Sequence, residues 1–469
     1  MATKKQNSTE TDTPQNAYFL SLELENVRCF GERQKIDFSD GNGKWKRWTI
    51  ILGDNGTGKT TLLQSLVSLS PFNEQNGFGS GPLLVPINGN NILYQWKPFR
   101  NLKNNETRIL ARYCFEGENI NVIDENPEFS ASGTSNWAIL GGTFENIIVN
   151  CVAYGASRKS GETSISEQKN ESHYITLFDE TALLLNPEEW LIRANYARFS
   201  QTEISLKLPI SIISDNLEGD FYQEKRNKLL TIVIELLKKV LPDVDDIRFN
   251  ERELPNKNIP QPVVEFHTPY GWVEAKDLSL GYRTSMAWMV DFASRMFDLY
   301  PESKNPLAEP AVVLIDEIDL HLHPKWQRDL LDWLSDLCPN TQFIVTTHSP
   351  LIVQAGIAKD ANIVVCRREG DHVVIDQSIE AVKGWRADQI LTSDLFDIPK
   401  RDKNTEEALE RRKELLSKSK LTKAEKTELA KLNESVDALP VSENLEDDKA
   451  MKIIRKAAKF IQENGAAVK

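Results

Sequence analysis

WTIILGDNGTGKTTLL, residues 48–63, decides the fold. Trp48–Leu52 is an apolar run of the kind that forms a strand buried on both faces. Gly53 to Thr60 has the glycine spacing of a phosphate-binding loop, and Thr61–Leu69 continues as an amphipathic helix. Glycines let backbone N–H groups turn inward around a phosphate, and the helix N-terminus adds its partial positive charge. The stretch therefore predicts that Gly53, Asp54, Asn55, Gly56, Thr57, Gly58, Lys59, Thr60 and Thr61 cradle ATP. Lys59 would bridge the β- and γ-phosphates, and the Thr60 hydroxyl would hold Mg²⁺. A chance glycine-rich turn would not carry both the strand before and the helix after.

Three further motifs lie downstream. VVLIDE (312–317) is an apolar run ending in an acidic pair. A buried strand delivers such a pair to its carboxyl end, beside the phosphate loop. Asp316 would bind Mg²⁺ through water, and Glu317 would polarise the water that attacks the γ-phosphate. LSLGY (278–282) leads into a helix expected from near Gly281 to about Tyr300, and resembles the signature motif of ABC ATPases. Ser279, the Gly281 amide and the helix N-terminus could hold a γ-phosphate presented by another subunit. FIVTTHSP (343–350) is a strand followed by His348, in the place of a switch histidine that senses the γ-phosphate.

Outside these motifs, Tyr18–Glu25 alternates like a half-buried strand, with Gln34–Phe38 as its partner. Residues 71–105, rich in Asn, Gly and Pro, read as an irregular loop. Strand-like runs follow at 107–115, 119–124 and 146–154. Residues 221–241 carry a helical apolar face, 247–275 a hairpin pair, and 325–337 a helix. Strands alternating with helices predict an α/β fold with a mainly parallel sheet, plus an antiparallel β subdomain. The expected organisation is a disordered leader (1–16), an N-lobe with the phosphate loop (17–70), the rest of that lobe with a compact insert (71–274), a C-lobe (275–400) and an α-helical appendage (401–469). In the appendage, Thr405–Lys418 and Thr422–Val436 read as a helical hairpin with a seam of Leu409, Leu415, Leu416, Leu429 and Leu432. Thr422 and Glu425 form a capping box, and Asp448–Gln462 is a third helix.

Composition narrows the function classes. The 469 residues are 40% apolar and 27% charged, and mean hydropathy is −0.41. Such a chain buries about 75% of its unfolded surface and needs no staple. Acidic residues outnumber basic ones 69 to 56, for a net charge of −13, which argues against a chain coated for nucleic acid or an anionic membrane. The five scattered cysteines, with no CxxC pair and no signal peptide before them, predict reduced thiols in a cytoplasm. No apolar stretch is long enough to span a membrane.

The four motifs together resemble the head domain of the RecF/Rad50/SMC branch of ABC ATPases, over roughly residues 18–70 and 275–370. LELENVRCF (22–30) is similar to that branch's opening strand, and the resemblance implies that Arg28 contacts nucleotide phosphate. No sustained heptad run lies between Gly53 and Ser279, so the insert is expected to be compact rather than a coiled coil. VAYGASR (152–158), LFDE (177–180) with NPEEWL (186–191), and ILTSDLF (390–396) resemble segments of compact anti-phage ATPases, above all the PtuA component of Septu systems. VAYGASR falls in the Q-loop region but has no glutamine, so the Q-loop stays unassigned. Where transporter-type ABC proteins place Asp, His323 stands. His321 and His323 could bind a metal, but no Cys or further His stands near them.

The resemblance implies that two copies sandwich ATP, as a homodimer or higher even oligomer, each phosphate loop facing the other's Ser279. It also implies a separate nuclease effector of the HNH type, docked on the appendage or insert and acting on DNA through the complex. The chain itself carries neither an HNH cluster nor a TOPRIM set. The alternatives are a RecF-like repair ATPase acting directly on DNA, and an ATPase partnered with a TOPRIM nuclease.

Overall fold

The computed structural model describes residues 15–74, 78–82, 107–115, 128–133, 138–141, 147–161, 174–199, 219–241, 243–252, 261–377, 385–391, 393, 396, 403–418 and 421–437. In chain order the strands are β1 (Gln15–Glu25), β2 (Gln34–Asp37), β3 (Trp48–Gly53), β4 (Pro71–Glu74), β5 (Phe78–Pro82), β6 (Thr107–Phe115), β7 (Glu128–Gly133), β8 (Ala138–Gly141), β9 (Ile147–Ile148), β10 (Cys151–Tyr154), β11 (Asp246–Arg252), β12 (Gln261–Thr268), β13 (Gly271–Glu274), β14 (Ala311–Ile315), β15 (Thr341–Thr346), β16 (Asn362–Glu369) and β17 (His372–Asp376). The helices are α1 (Lys59–Leu69), α2 (Ile175–Phe178), α3 (Pro187–Phe199), α4 (Gly219–Val240), α5 (Leu280–Leu299), α6 (Pro324–Leu337), α7 (Pro350–Ala358), α8 (Ala387–Leu391), α9 (Lys403–Ser417) and α10 (Lys423–Asp437). The helix expected to start near Gly281 is α5.

The three apolar runs that frame the motifs become neighbours. The central sheet has the order β10-β14-β15-β3-β16-β17, parallel except for β17. A parallel sheet must be covered on both faces, which is why its strands are apolar at successive positions rather than at alternate ones. Ile50, Val313, Ile315, Phe343 and Val345 point into one core with α3 to α7. Ile51, Val312, Leu314, Ile344 and Val364 point into a second core, shared with α1 and an antiparallel sheet. That sheet has the order β2-β1-β6-β7-β8, with β9 added parallel to β1.

Lying between the two sheets, α1 is buried at Lys59 and at every position from Thr61 to Leu69. The expectation of an amphipathic helix there is corrected. Its serines look polar in sequence, but Ser65 and Ser68 donate back to Thr61 O and Ser65 O at 2.7 and 2.8 Å. A hydroxyl satisfied on its own helix can face a core.

Gln342 joins the two sheets. β2 pairs with β1 only from Ser21 to Leu24, so the edge of β1 at Phe19 lacks a strand partner. The fully buried Gln342 fills that gap: Phe19 N donates to its Oε1 at 2.9 Å, and its Nε2 donates to Phe19 O at 2.8 Å. Gln342→Leu leaves a buried N–H and a buried carbonyl orphaned, so it should cost about 2–4 kcal/mol. A lower urea midpoint at unchanged slope is the measurement.

Other departures from expectation have local causes. The stretch after Ser70 is not wholly irregular, because β4 and β5 pair as a ribbon with Phe72 opposite Gly81. The run 146–154 is split, since β9 joins the antiparallel sheet and β10 the parallel one. The 247–275 hairpin is a three-stranded sheet, β11-β12-β13. Two further strands, β7 and β8, lie where no strand was expected. The run 119–124, residues 1–14 of the leader and the helix at Asp448–Gln462 lie outside the described residues.

The chain divides into two compact units, Met1–Phe396 and Asp397–Lys469. In the second, α9 and α10 pair as a hairpin. Thr422 N donates to Glu425 Oε2 at 2.8 Å and Glu425 N to Thr422 Oγ1 at 3.3 Å, closing the capping box. Leu415 is buried, but Leu416 is 56% exposed and leaves the expected seam, since on a helix it is turned about 100° from Leu415. Among the described residues, no helix is long and apolar enough to cross a membrane. All five cysteines are free.

Candidate functional site

Parallel register sets the carboxyl ends of four strands along one edge. Tyr154 lies beside Ile315, Ile315 beside Val345, and Thr346 beside Ile51. The loops leaving that edge carry the candidate residues, as is usual for ligand sites on such sheets.

The phosphate loop turns through left-handed backbone at Gly56 and Gly58, each at φ +81°. Gly58 also has no room for a side chain, because a Cβ would sit 2.4 Å from Cys29 Sγ. Lys59 is 7% exposed, and its Nζ donates to Gly53 O at 2.8 Å and Asp54 O at 3.0 Å. Burial pushes the ammonium down from its ordinary pKa, against the pull of Asp316. Thr57 Oγ1 donates to Asp54 O at 2.8 Å and braces the turn.

The acidic pair meets this loop. Asp316 Oδ2 accepts from Thr60 Oγ1 at 2.6 Å, and Oδ1 accepts from Thr346 Oγ1 at 2.6 Å. Thr346 Oγ1 also accepts from Glu317 N at 2.7 Å. A cavity of about 300 Å³ opens here, lined in part by Arg28, Asn55, Lys59, Thr60, Asp316 and Glu317. Arg28 Nη1 donates to Gln64 Oε1 at 3.1 Å, and Gln64 Nε2 to Leu177 O at 2.9 Å. The Thr60 hydroxyl and the Asp316 carboxylate are hard oxygen donors already in contact, a set that fits Mg²⁺.

The remaining sequence candidates are elsewhere. Ser279, Gly281 and His348 do not line the cavity. Ser279 is exposed at the N-cap of α5, and its side chain makes no cap bond. A Cβ on Gly281 would meet His321 O at 2.4 Å, so the turn rests directly on the loop after the acidic pair. His348 is exposed, with its N donating to Asp319 Oδ1 at 3.3 Å. His323 caps α6, its Nδ1 accepting from Lys325 N at 3.2 Å. Among the described residues no group of three or more His, Cys, Asp or Glu is placed to hold a metal ion.

Sequence reading missed Thr346, Gln64 and Asp319 as members of the site. Asp319 accepts from Thr347 Oγ1 and thereby links the loop after Glu317 to the strand end at His348. Only its position two residues after the acidic pair, and that of Thr346 two before the histidine, could have flagged them.

A phosphate loop and an acidic strand end meet on one parallel sheet, with an antiparallel sheet closed over the loop's helix, the frame of a nucleotide-binding α/β fold. Comparison with known proteins finds similar chains. The family described as "AAA domain" matches residues 21–245, and that described as "AAA domain, putative AbiEii toxin, Type IV TA system" matches residues 209–354. The chain is similar to the Septu protein PtuA of Bacillus mycoides (strain KBAB4), 25% identical over 435 residues, which cover 92% of this chain and 52% of PtuA. It thus spans about half the length of that relative. It is also similar to the Retron Vc95 probable ATPase of Vibrio cholerae serotype O1 biovar El Tor, 25% identical over 398 residues, 73% of each chain. Among solved structures, an Smc head bound to the C-winged helix domain of ScpA is matched at 17% identity and a TM-score of 0.41, covering 76% of this chain and 97% of that one. The recombination mediator protein RecF is matched at 12% and 0.39, covering 78% and 99%.

Proposed function

We propose that this chain is a Mg²⁺-dependent ATPase that closes as a dimer around ATP and regulates a separate nuclease, of the HNH type, in anti-phage defence. The observation that carries the ATPase reading is the 2.6 Å bond from Thr60 to Asp316, which ties the phosphate loop to the acidic strand at a cavity that Glu317 also lines.

In this reading, Gly53, Asp54, Asn55, Gly56, Thr57, Gly58 and Thr61 form the cradle, with inward N–H groups around the β-phosphate. Lys59 leaves the loop carbonyls for the β- and γ-phosphates, and Arg28 approaches the same phosphates from the cavity wall. Thr60 and Asp316 hold Mg²⁺, which when bound neutralises charge on the phosphate oxygens. Glu317 orients the attacking water and takes its proton as the γ-phosphoryl leaves for it. His348 senses the γ-phosphate. Ser279 and the Gly281 amide serve the neighbouring copy's nucleotide, a reading supported by their place outside this chain's own cavity and by the exposure of Ser279. Because each site needs two chains, a monomer hydrolyses slowly, and ATP stabilises the closed pair by mass action.

The defence role rests on the similarity to a Septu protein and a retron ATPase. The effector would dock on residues 401–469 or on the central insert, with DNA reached through the complex. The setting is the cytoplasm, where buried thiols such as Cys338, pushed up to about 12 by burial, stay reduced. A pull-down of the full chain with its neighbouring gene product, followed by mass measurement with and without ATP, tests the whole reading. We expect an even number of ATPase copies in ATP and a co-purifying nuclease. A monomer in ATP would sink the dimer, and a complex lacking any nuclease would sink the effector.

A further inference from the structure

Arg158 is the one arginine of the molecule's described residues among its largest fully buried side chains, at 1% exposure, and nothing above gives it a task. It closes the segment that leaves β10, four residues after Tyr154, at the same sheet edge as the acidic pair. That segment is tightly held. A Cβ on Gly155 would lie 2.0 Å from Thr176 O, and Leu184 N donates to Lys159 O at 2.8 Å. Arg158 itself sits at φ +33°, a backbone region that a side chain adopts only under constraint.

Among the described residues the fixed arginine donates to one atom: its Nη2 donates to Glu317 O at 2.6 Å. Glu317 is also a non-glycine residue in the left-handed region, at φ +48°. Its peptide is clamped on both sides. Thr346 Oγ1 accepts its N–H, while Arg158 and the Leu320 N–H, at 2.9 Å, share its carbonyl. The direction of a side chain leaving such a turn is set by the backbone beneath it. Burial lowers the guanidinium to about 10, and the negative charges of Asp316, Asp319 and Glu317 pull the other way. Arg158 does not line the cavity beside the phosphate loop.

We propose that Arg158 is a positioning residue for Glu317: by locking the left-handed turn through the Glu317 carbonyl, it aims the carboxylate at the attacking water and sets the hydrolysis rate without touching ATP. The proposal rests on the ATPase reading above and adds to it a residue outside the four motifs. It differs from a core-filling role because its effect must pass through Glu317 alone. A displacement of about 1 Å at a reacting group can cost roughly a hundredfold in rate.

The test uses the full chain as parent, R158A, R158K, E317Q and R158A/E317Q, with rates normalised to titrated ATP sites. R158A should lower kcat about 10- to 100-fold while KM and the dissociation constant of a fluorescent ATP analogue change less than about threefold, and R158K, which keeps one donor, should restore part of the rate. The double variant should be no slower than E317Q. Hydrogen exchange of a peptide spanning residues 312–322 should quicken at Glu317 and Leu320 in R158A and R158K, with the β14 amides unchanged. An R158A enzyme at the parental kcat, multiplied losses in the double variant, or unchanged exchange at Glu317 and Leu320 would each overturn the proposal. Failure of the ATPase reading looks different, since the parent would then not hydrolyse ATP or E317Q would match it, and the exchange arm still decides whether Arg158 holds the turn.

Discussion

Lys59→Ala should abolish ATP binding, raising the dissociation constant at least about 100-fold. Two charge-assisted contacts to phosphate oxygens are lost, each on the order of 1.5–3 kcal/mol, and every 1.4 kcal/mol is tenfold. The Lys59 ammonium is already desolvated and turned onto Gly53 O and Asp54 O, within the loop that would hold the phosphates. Moving it to a phosphate exchanges neutral acceptors for charged ones and requires no further dehydration. Alanine keeps the helical conformation and the left-handed turns at Gly56 and Gly58, so the fold should survive. Titration with a fluorescent ATP analogue gives the affinity, and the thermal midpoint checks the fold. Binding within threefold of the parent would remove the phosphate-loop assignment.

Glu317→Gln should leave ATP affinity near the parental value and reduce hydrolysis at least about 100-fold, in keeping with the loss of a positioned general base. The amide matches the carboxylate in size, and the backbone clamps from Thr346 and Arg158 do not involve the side chain. Bound ATP then persists, so the variant should accumulate as a closed assembly in ATP that elutes earlier than the parent. Parental turnover by Glu317→Gln would show that another group takes the proton. The two variants separate binding from chemistry: Lys59→Ala should be open and empty, Glu317→Gln closed and full.

The residues of the candidate edge could be picked out in the sequence because each group of them is local. Gly53 to Thr60 is one contiguous loop, and Asp316-Glu317 follows directly on an apolar strand. Strand order could not be read in that way. β14 and β3 lie apart in the chain and become near neighbours through β15, which no local pattern reveals. The amphipathic expectation for α1 failed because serines that bond their own helix count as polar in a sequence and as neutral in a core. Thr346, Gln64 and Arg158 were not legible as site members for a related reason. Each acts through long-range bonds, Thr346 to Asp316 and Glu317, Gln64 to Arg28 and Leu177, and Arg158 to Glu317, and one threonine, glutamine or arginine leaves no periodicity behind. Residues 71–105 were hard to read, since glycine and proline there predict a loop while β4 and β5 pair as strands.

The bare Cα of Gly281 against the His321 carbonyl has a mechanical corollary. In any closed pair, the turn lent to a companion would ride on the segment leaving the lender's own water-activating residue. Phosphate release on one side would tug at the grip on the other. A bulkier residue at 281 would press on the His321 carbonyl and so disturb the lent turn and the loop beneath it together.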